Sequence, residues 1–153
     1  MKARLNPYKA AGELMAKVAQ LEADIAASGL ETPLIHLIKV RASQINGCAY
    51  CIDLHTMEAM RDGEPPQRLF LLNAWRDSPI YSDRERAALE WTETVTLVSV
   101  THVPDDAFEA VRAHFSESDL VKLTLVVAMI NVWNRVAISF RSMHPVRAVS
   151  AAA

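Results

Sequence analysis

Apolar residues recur at three- and four-residue intervals along most of this chain, and no convincing alternation of the kind that builds strands interrupts them. Asn6-Pro7 opens a first helix whose apolar positions are Leu14, Val18, Leu21 and Ile25, and Ser28-Gly29 closes it. Thr32-Pro33 reads as an N-cap followed by a proline in the first turn. Leu34, Leu37, Ile38, Val40 and Ile45 then mark a second helix, which Asn46-Gly47 breaks. A third helix starts at or near Cys48 and runs to Arg61, where Asp62-Gly63 ends it.

Pro65-Pro66 begins a short fourth helix through Trp75. Ser82 with Glu85 three residues later is a capping box for a fifth helix, which contains Ala87, Leu89, Trp91, Val95 and Val98. Pro104 starts a sixth, ending near His114, and Ser116 with Asp119 caps a long seventh that reaches about Phe140. That last helix is apolar on most sides, so it belongs at the centre of the fold or at an interface. The tail Val149–Ala153 is expected to fray. The pattern predicts an all-α fold, a compact bundle of about seven helices spanning 1–153 as a single domain.

Composition narrows the functional classes. With 51% apolar residues, 22% charged residues and a net charge of -2, the chain has no dense basic block, and nucleic acid is not an expected partner. The N-terminal stretch MKARLNPYKAAGELMAK has no uninterrupted apolar run and is not read as a secretory signal. The most apolar region, LVKLTLVVAMINVWNRVAISF, carries Lys122, Asn131, Asn134 and Arg135, which argues against a bilayer span. The expectation is a soluble cytoplasmic protein. In that reducing setting a Cys-x-x-Cys pair is read as catalytic or metal-binding rather than as a structural disulfide.

The only two cysteines, Cys48 and Cys51, stand three apart, with His55 four residues further on. On one helix their directions fall within an arc of roughly 60°, so all three share a face. His55 lies about 6 Å along the axis from Cys51 but about 10 Å from Cys48. Helical side chains tilt towards the N-terminus, so His55 leans towards Cys51 and can take its proton. Cys48, at the helix start, meets unpaired N–H groups that favour a thiolate. Either influence lowers a thiol pKa below about 8.5, and a second thiol one turn away can resolve a sulfenic acid into a disulfide. A structural reading stands beside this, because buried cysteines are common core residues. So does zinc, with His36 as a fourth ligand, although structural zinc sites draw ligand pairs from two segments and no second Cys-x-x-Cys is present.

The stretch RASQINGCAYCIDLHT (41–56) resembles the core motif of the alkylhydroperoxidase AhpD-like family, within the wider carboxymuconolactone decarboxylase superfamily. The resemblance continues through RLFLLNAWRDSPIYSDRERAALEWTETVT (68–96) and returns in INVWNRVAI (130–138), covering about residues 20–141. It implies a helical fold assembling as a homo-oligomer (a dimer, trimer or hexamer) and thiol-dependent peroxide reduction. In that reaction Cys51 matches the attacking cysteine, Cys48 the resolving partner and His55 the proton-transfer histidine. A thioredoxin-like or lipoyl protein would be the reductant, and no cofactor or metal is implied. The decarboxylase branch lacks the cysteine pair.

Two positions depart from the family pattern. His36 stands where peroxidase members carry a glutamate, and Tyr50 where they carry a histidine. If the second and third helices form an antiparallel hairpin, residue 36 comes level with about residue 57, near His55 or Glu58. His36 could then orient His55, Glu58 could supply the missing carboxylate, and Tyr50 could wall the pocket. Trp75, Trp91 and Trp133 are read as core or interface anchors, and Asn131, Asn134 and Arg135 as an oligomer contact or cap. Arg41 and Arg135 are candidates for neutralising an acidic substrate, and His102, His114 and His144 are given no role. The leading function is peroxide reduction through a dithiol cycle. The alternatives are a slow redox-sensing or disulfide-exchange oligomer and a zinc-binding module.

Overall fold

The computed structural model describes residues 2–147, so the terminal stretch expected to fray lies outside the described residues. Among those described it is all-helical, with nine α-helices, one 3-10 segment and no strand. The helices are α1 (Pro7–Ala10), α2 (Gly12–Ala26), α3 (Thr32–Asn46), α4 (Ala49–Arg61) and α5 (Pro66–Leu71), then α6 (Asp83–Thr96), α7 (Val98–Thr101), α8 (Asp105–Arg112) and α9 (Glu117–Phe140). The 3-10 segment, Leu72–Asp77, continues α5 and carries Trp75.

Local chemistry accounts for most of the ends. The Asn6 side chain accepts from the N–H groups of Tyr8 and Lys9 while Pro7 occupies the first turn. The Ser82–Glu85 capping box is complete in both directions, and Ser116 caps α9 by accepting from the Asp119 N–H. At Gly47, φ is +69°, the Gly47 N–H donates to Gln44 O, and the Cys48 N–H donates to Ser43 O. This left-handed glycine stop turns the chain straight into α4. Gly63 ends α4 in the same way, with φ +98°.

Three expectations change. The first helix is two, because Ala11 leaves the helical region at φ -145° just before Gly12, a weak helix former. The fifth helix is also two, parting at Leu97. Thr32 is not a cap: Glu31 holds that position without a side-chain bond, and Thr32 lies inside the first turn with Pro33.

The fold is built around α3, which packs against α4, α6 and α9. The main apolar cluster joins Leu34, Ile35 and Ile38 of α3 to Trp91 of α6 and to Leu123, Val126 and Val127 of α9. A second joins Leu37 and Val40 to Leu72, Trp75 and Leu89. By length and composition α9 could cross a membrane, but it runs through the core here, burying Leu123, Val127, Ile130 and Asn134. The Asn134 amide donates to Ser43 Oγ at 3.0 Å, and the Asn46 amide donates to Asn134 Oδ1 at 2.8 Å and to Asn131 Oδ1 at 3.0 Å. The asparagines expected to serve an oligomer contact or a cap therefore lock α9 to the C-terminal end of α3 within the chain.

Candidate active site

The turn at Gly47 delivers Cys48 to the N-cap position of α4, where its sulfur accepts the Cys51 N–H at 3.3 Å. The two cysteines are joined as a disulfide, with Cα atoms 5.4 Å apart. Each is only 2% exposed, and Ala42, Ile130 and Ala137 pack around them. One turn further along α4, His55 is 5% exposed and its Nδ1 lies 2.8 Å from Glu58 Oε2. With Nδ1–H donating to that carboxylate, Nε2 carries the ring's lone pair. The His55 hydrogen bond holds the Glu58 carboxyl below its usual range, against the opposing effect of burial.

Cys51 and His55 open onto the same cavity, of about 140 Å³. Tyr50 and Leu54 of α4 and Trp133, Val136 and Ala137 of α9 form most of its wall. Cys48 is absent from that wall, so the cavity distinguishes the two sulfurs. Three further walls escape a reading of the motif alone. Glu22 of α2 reaches the cavity and pairs with Lys39 at 2.5 Å. Its signal was present in the sequence: it sits on the stripe of α2 that buries Met15 and Ile25, an unusual place for a carboxylate. Tyr8 and Ser142 come from opposite ends of the chain, and no local pattern links them to the cysteines.

His36 takes a different place from the one expected. Its Nε2 lies 2.9 Å from Asp62 Oδ2, and it lines a separate cavity with Asp62 and Glu64. Side chains on α3 tilt towards its N-terminus, which in the hairpin is the C-terminal end of α4, whereas His55 tilts towards the start of α4. His36 thus pairs with the C-terminal end of α4 rather than with His55, although after His55 and Lys39 its charge still helps hold the Glu58 carboxyl down. Arg41 is engaged with Glu93 and Asn73, and Arg135 with Asn131, so neither faces the cavity. Trp75 and Trp91 are buried, with their N–H groups on Glu93 and Thr124, while Trp133 is the tryptophan at the cavity. Among the described residues no group of three or more His, Cys, Asp or Glu is arranged to hold a metal ion.

The sequence pattern of the carboxymuconolactone decarboxylase family matches residues 12–94. The uncharacterized protein YdfG of Bacillus subtilis (strain 168) is 41% identical over 91% of this chain and 95% of its own length. The uncharacterized protein YnjA of Escherichia coli (strain K12) is 31% identical over 69% of this chain and 57% of its own. Among solved structures, an Agrobacterium tumefaciens protein of unknown function, described as a candidate antioxidant defence protein AhpD, superposes with a TM-score of 0.93 at 50% identity, covering 95% of this chain and 100% of that one. An uncharacterized peroxidase-related protein from Silicibacter sp. TM1040 gives 0.77 at 26% identity, over 86% and 70%. An alkylhydroperoxidase AhpD core, an uncharacterized peroxidase-related protein from Ralstonia eutropha JMP134, gives 0.79 at 21% identity, over 89% and 73%, and speaks to the fold alone.

Proposed function

The chain belongs to the carboxymuconolactone decarboxylase family, and on that premise we propose that it reduces peroxides through a Cys48–Cys51 dithiol cycle assisted by His55. One observation carries the reading: Cys51 shares a small cavity with a histidine whose far nitrogen is held by a carboxylate.

An outside thiolate attacks Cys51 Sγ, the disulfide breaks, and Cys48 leaves as a thiolate against the Cys51 N–H at the start of α4. A second outside thiol attacks the mixed disulfide, leaving both cysteines reduced and an outside disulfide released. His55 Nε2 then takes the Cys51 proton, and the thiolate attacks the terminal oxygen of a hydroperoxide. The O–O bond breaks, Cys51 becomes a sulfenic acid, and the alkoxide leaves as alcohol with the proton from His55. Cys48 attacks the sulfenic sulfur, water leaves, and the disulfide is restored. Overall, one hydroperoxide and two thiols give an alcohol, water and a disulfide, with no cofactor or metal required.

Glu58 fixes the ring orientation and favours the imidazolium formed when the proton moves, the service a glutamate twelve residues before the first cysteine gives in peroxidase members. Tyr50 walls the cavity. His36 sits outside this relay. The cytoplasm, with a thioredoxin-like or lipoyl reductant, is the setting that fits the cycle, and a homo-oligomer is its proposed form.

Peroxide consumption by wild type, Cys51→Ser and Cys48→Ser, with dithiothreitol as reductant, tests the reading. Loss of turnover in Cys51→Ser supports it; a wild type no faster than both variants overturns it. A second reading draws on the near-complete burial of both sulfurs: a slow disulfide-exchange protein. It is favoured if single-turnover oxidation by peroxide succeeds while re-reduction limits every later turnover.

A further inference from the structure

The cavity's walls differ in how firmly they are held. Glu22, Leu54, His55 and Trp133 stand on helices of at least thirteen residues packed into the fold. Ser142 is fixed by its own N–H, which donates to Ala137 O at 2.9 Å at the left-handed end of α9. Tyr8 is the exception. It stands on α1, four residues long, with no buried residue of its own. Tyr8 is 55% exposed, and its hydroxyl makes no hydrogen bond to the described residues. The segment before it is tied to the end of α9 by the Arg4 N–H, which donates to Phe140 O at 3.0 Å, and by Arg4 Nη1, which donates to Ser139 O at 2.9 Å. A segment with so few buried contacts opens at low free-energy cost compared with the helices beneath it.

The cavity is also small. About 140 Å³ falls below the ~300–1,000 Å³ typical of sites for drug-sized ligands. Cys51 is only 2% exposed and lines this cavity.

We infer that Tyr8 is a specificity-determining residue: its ring closes the movable side of the cavity and selects, by size, which hydroperoxides and which thiols reach Cys51. Hydrogen peroxide and slender thiols enter with the ring in place, whereas branched arylalkyl hydroperoxides and bulky thiols wait for α1 to swing out. The phenol ring, not the hydroxyl, does the selecting. The inference rests on the proposed reaction only for its peroxide half. The thiol half requires only that the Cys48–Cys51 disulfide be reduced from outside.

The test compares wild type, Tyr8→Ala and Tyr8→Phe in two assays. The first is the second-order rate of disulfide reduction by dithiothreitol and by glutathione, followed by alkylation of the freed thiols. The second is consumption of hydrogen peroxide and of cumene hydroperoxide. Tyr8→Ala should raise the bulky-to-slender ratio by about tenfold in each assay, the scale on which a pocket discriminates by apolar bulk. Tyr8→Phe should stay within about twofold of wild type. Ratios unchanged in Tyr8→Ala overturn the inference, and a Tyr8→Phe that behaves like Tyr8→Ala overturns the role of the ring. If no form consumes peroxide, the proposed function fails, while the thiol ratio still decides what Tyr8 does.

Discussion

At the level of single side chains, the site depends on which partner each histidine has. His55 has Glu58, three residues on and facing the same side of α4, at 2.8 Å. Ionised Glu58 orients the ring and stabilises the imidazolium that appears when Cys51 gives up its proton. Glu58→Gln keeps the shape and a hydrogen bond but removes the charge. It should slow peroxide consumption by about tenfold at neutral pH, less than the ~10²-fold expected when a general base itself is lost. An unchanged rate would remove Glu58 from the relay. The pH dependence has a definite sign. The Glu58 carboxyl is held below its ordinary value of 4.5 by the His55 hydrogen bond. A depressed native pKa contributes stability above the unfolded value and loses it as pH falls through the native one. The stability that Glu58 adds over Glu58→Gln should therefore be lost as pH falls below about 4.5, which urea midpoints across the acid range would show.

For helices and turns, the lesson is how far local chemistry reaches. Prolines, left-handed glycines and serine caps act on their neighbours, so the boundaries of α3, α4 and α9 and the start of α6 were legible to within a residue or two. The breaks at Ala11 and Leu97 were not, because Gly12 weakens a helix without forbidding it and no proline, glycine or cap stands at Leu97. The motif on α4 was legible because its three residues share one helix face. Tyr8, Glu22, Trp133 and Ser142 meet it only through tertiary structure, and His36 pairs with Asp62 rather than His55 because its side chain tilts towards the N-terminus of α3. Gly47 links the two kinds of information: it ends α3 and aims Cys48 into the N-cap of α4. A Cβ there meets no atom within 4 Å, so the cost of Gly47→Ala is backbone strain at φ +69° alone. Equilibrium denaturation should show a loss of about 1–2 kcal/mol. A neutral substitution would mean the turn relaxes, and Cys48 would then be displaced from the Cys51 N–H.

Over the molecule as a whole, the question is whether a fold can carry a bond that it must repeatedly break. The two large clusters, centred on Ile38 with Val127 and on Leu37 with Leu72, contain neither cysteine; Cys48 and Cys51 belong to a smaller group with Ala42, Ile130 and Ala137. The buried asparagine network between α3 and α9 holds that region together independently of sulfur. The bridge spans a separation of only 3 residues, and the chain entropy it removes from the unfolded state is correspondingly small, about 2 kcal/mol at most. In a domain of this size that amounts to a fall in melting temperature of no more than about 8 °C. Thermal melts of the oxidised protein, the dithiol form kept reduced, and the Cys48→Ser, Cys51→Ser double variant should therefore lie within that interval and keep the same helical signal. A much larger drop, or loss of helix on reduction, would make the disulfide a structural staple and remove the basis for a cycle. A small drop leaves both redox states with one architecture, so that opening and closing the bond alters the chemistry of the cavity rather than the shape of the protein.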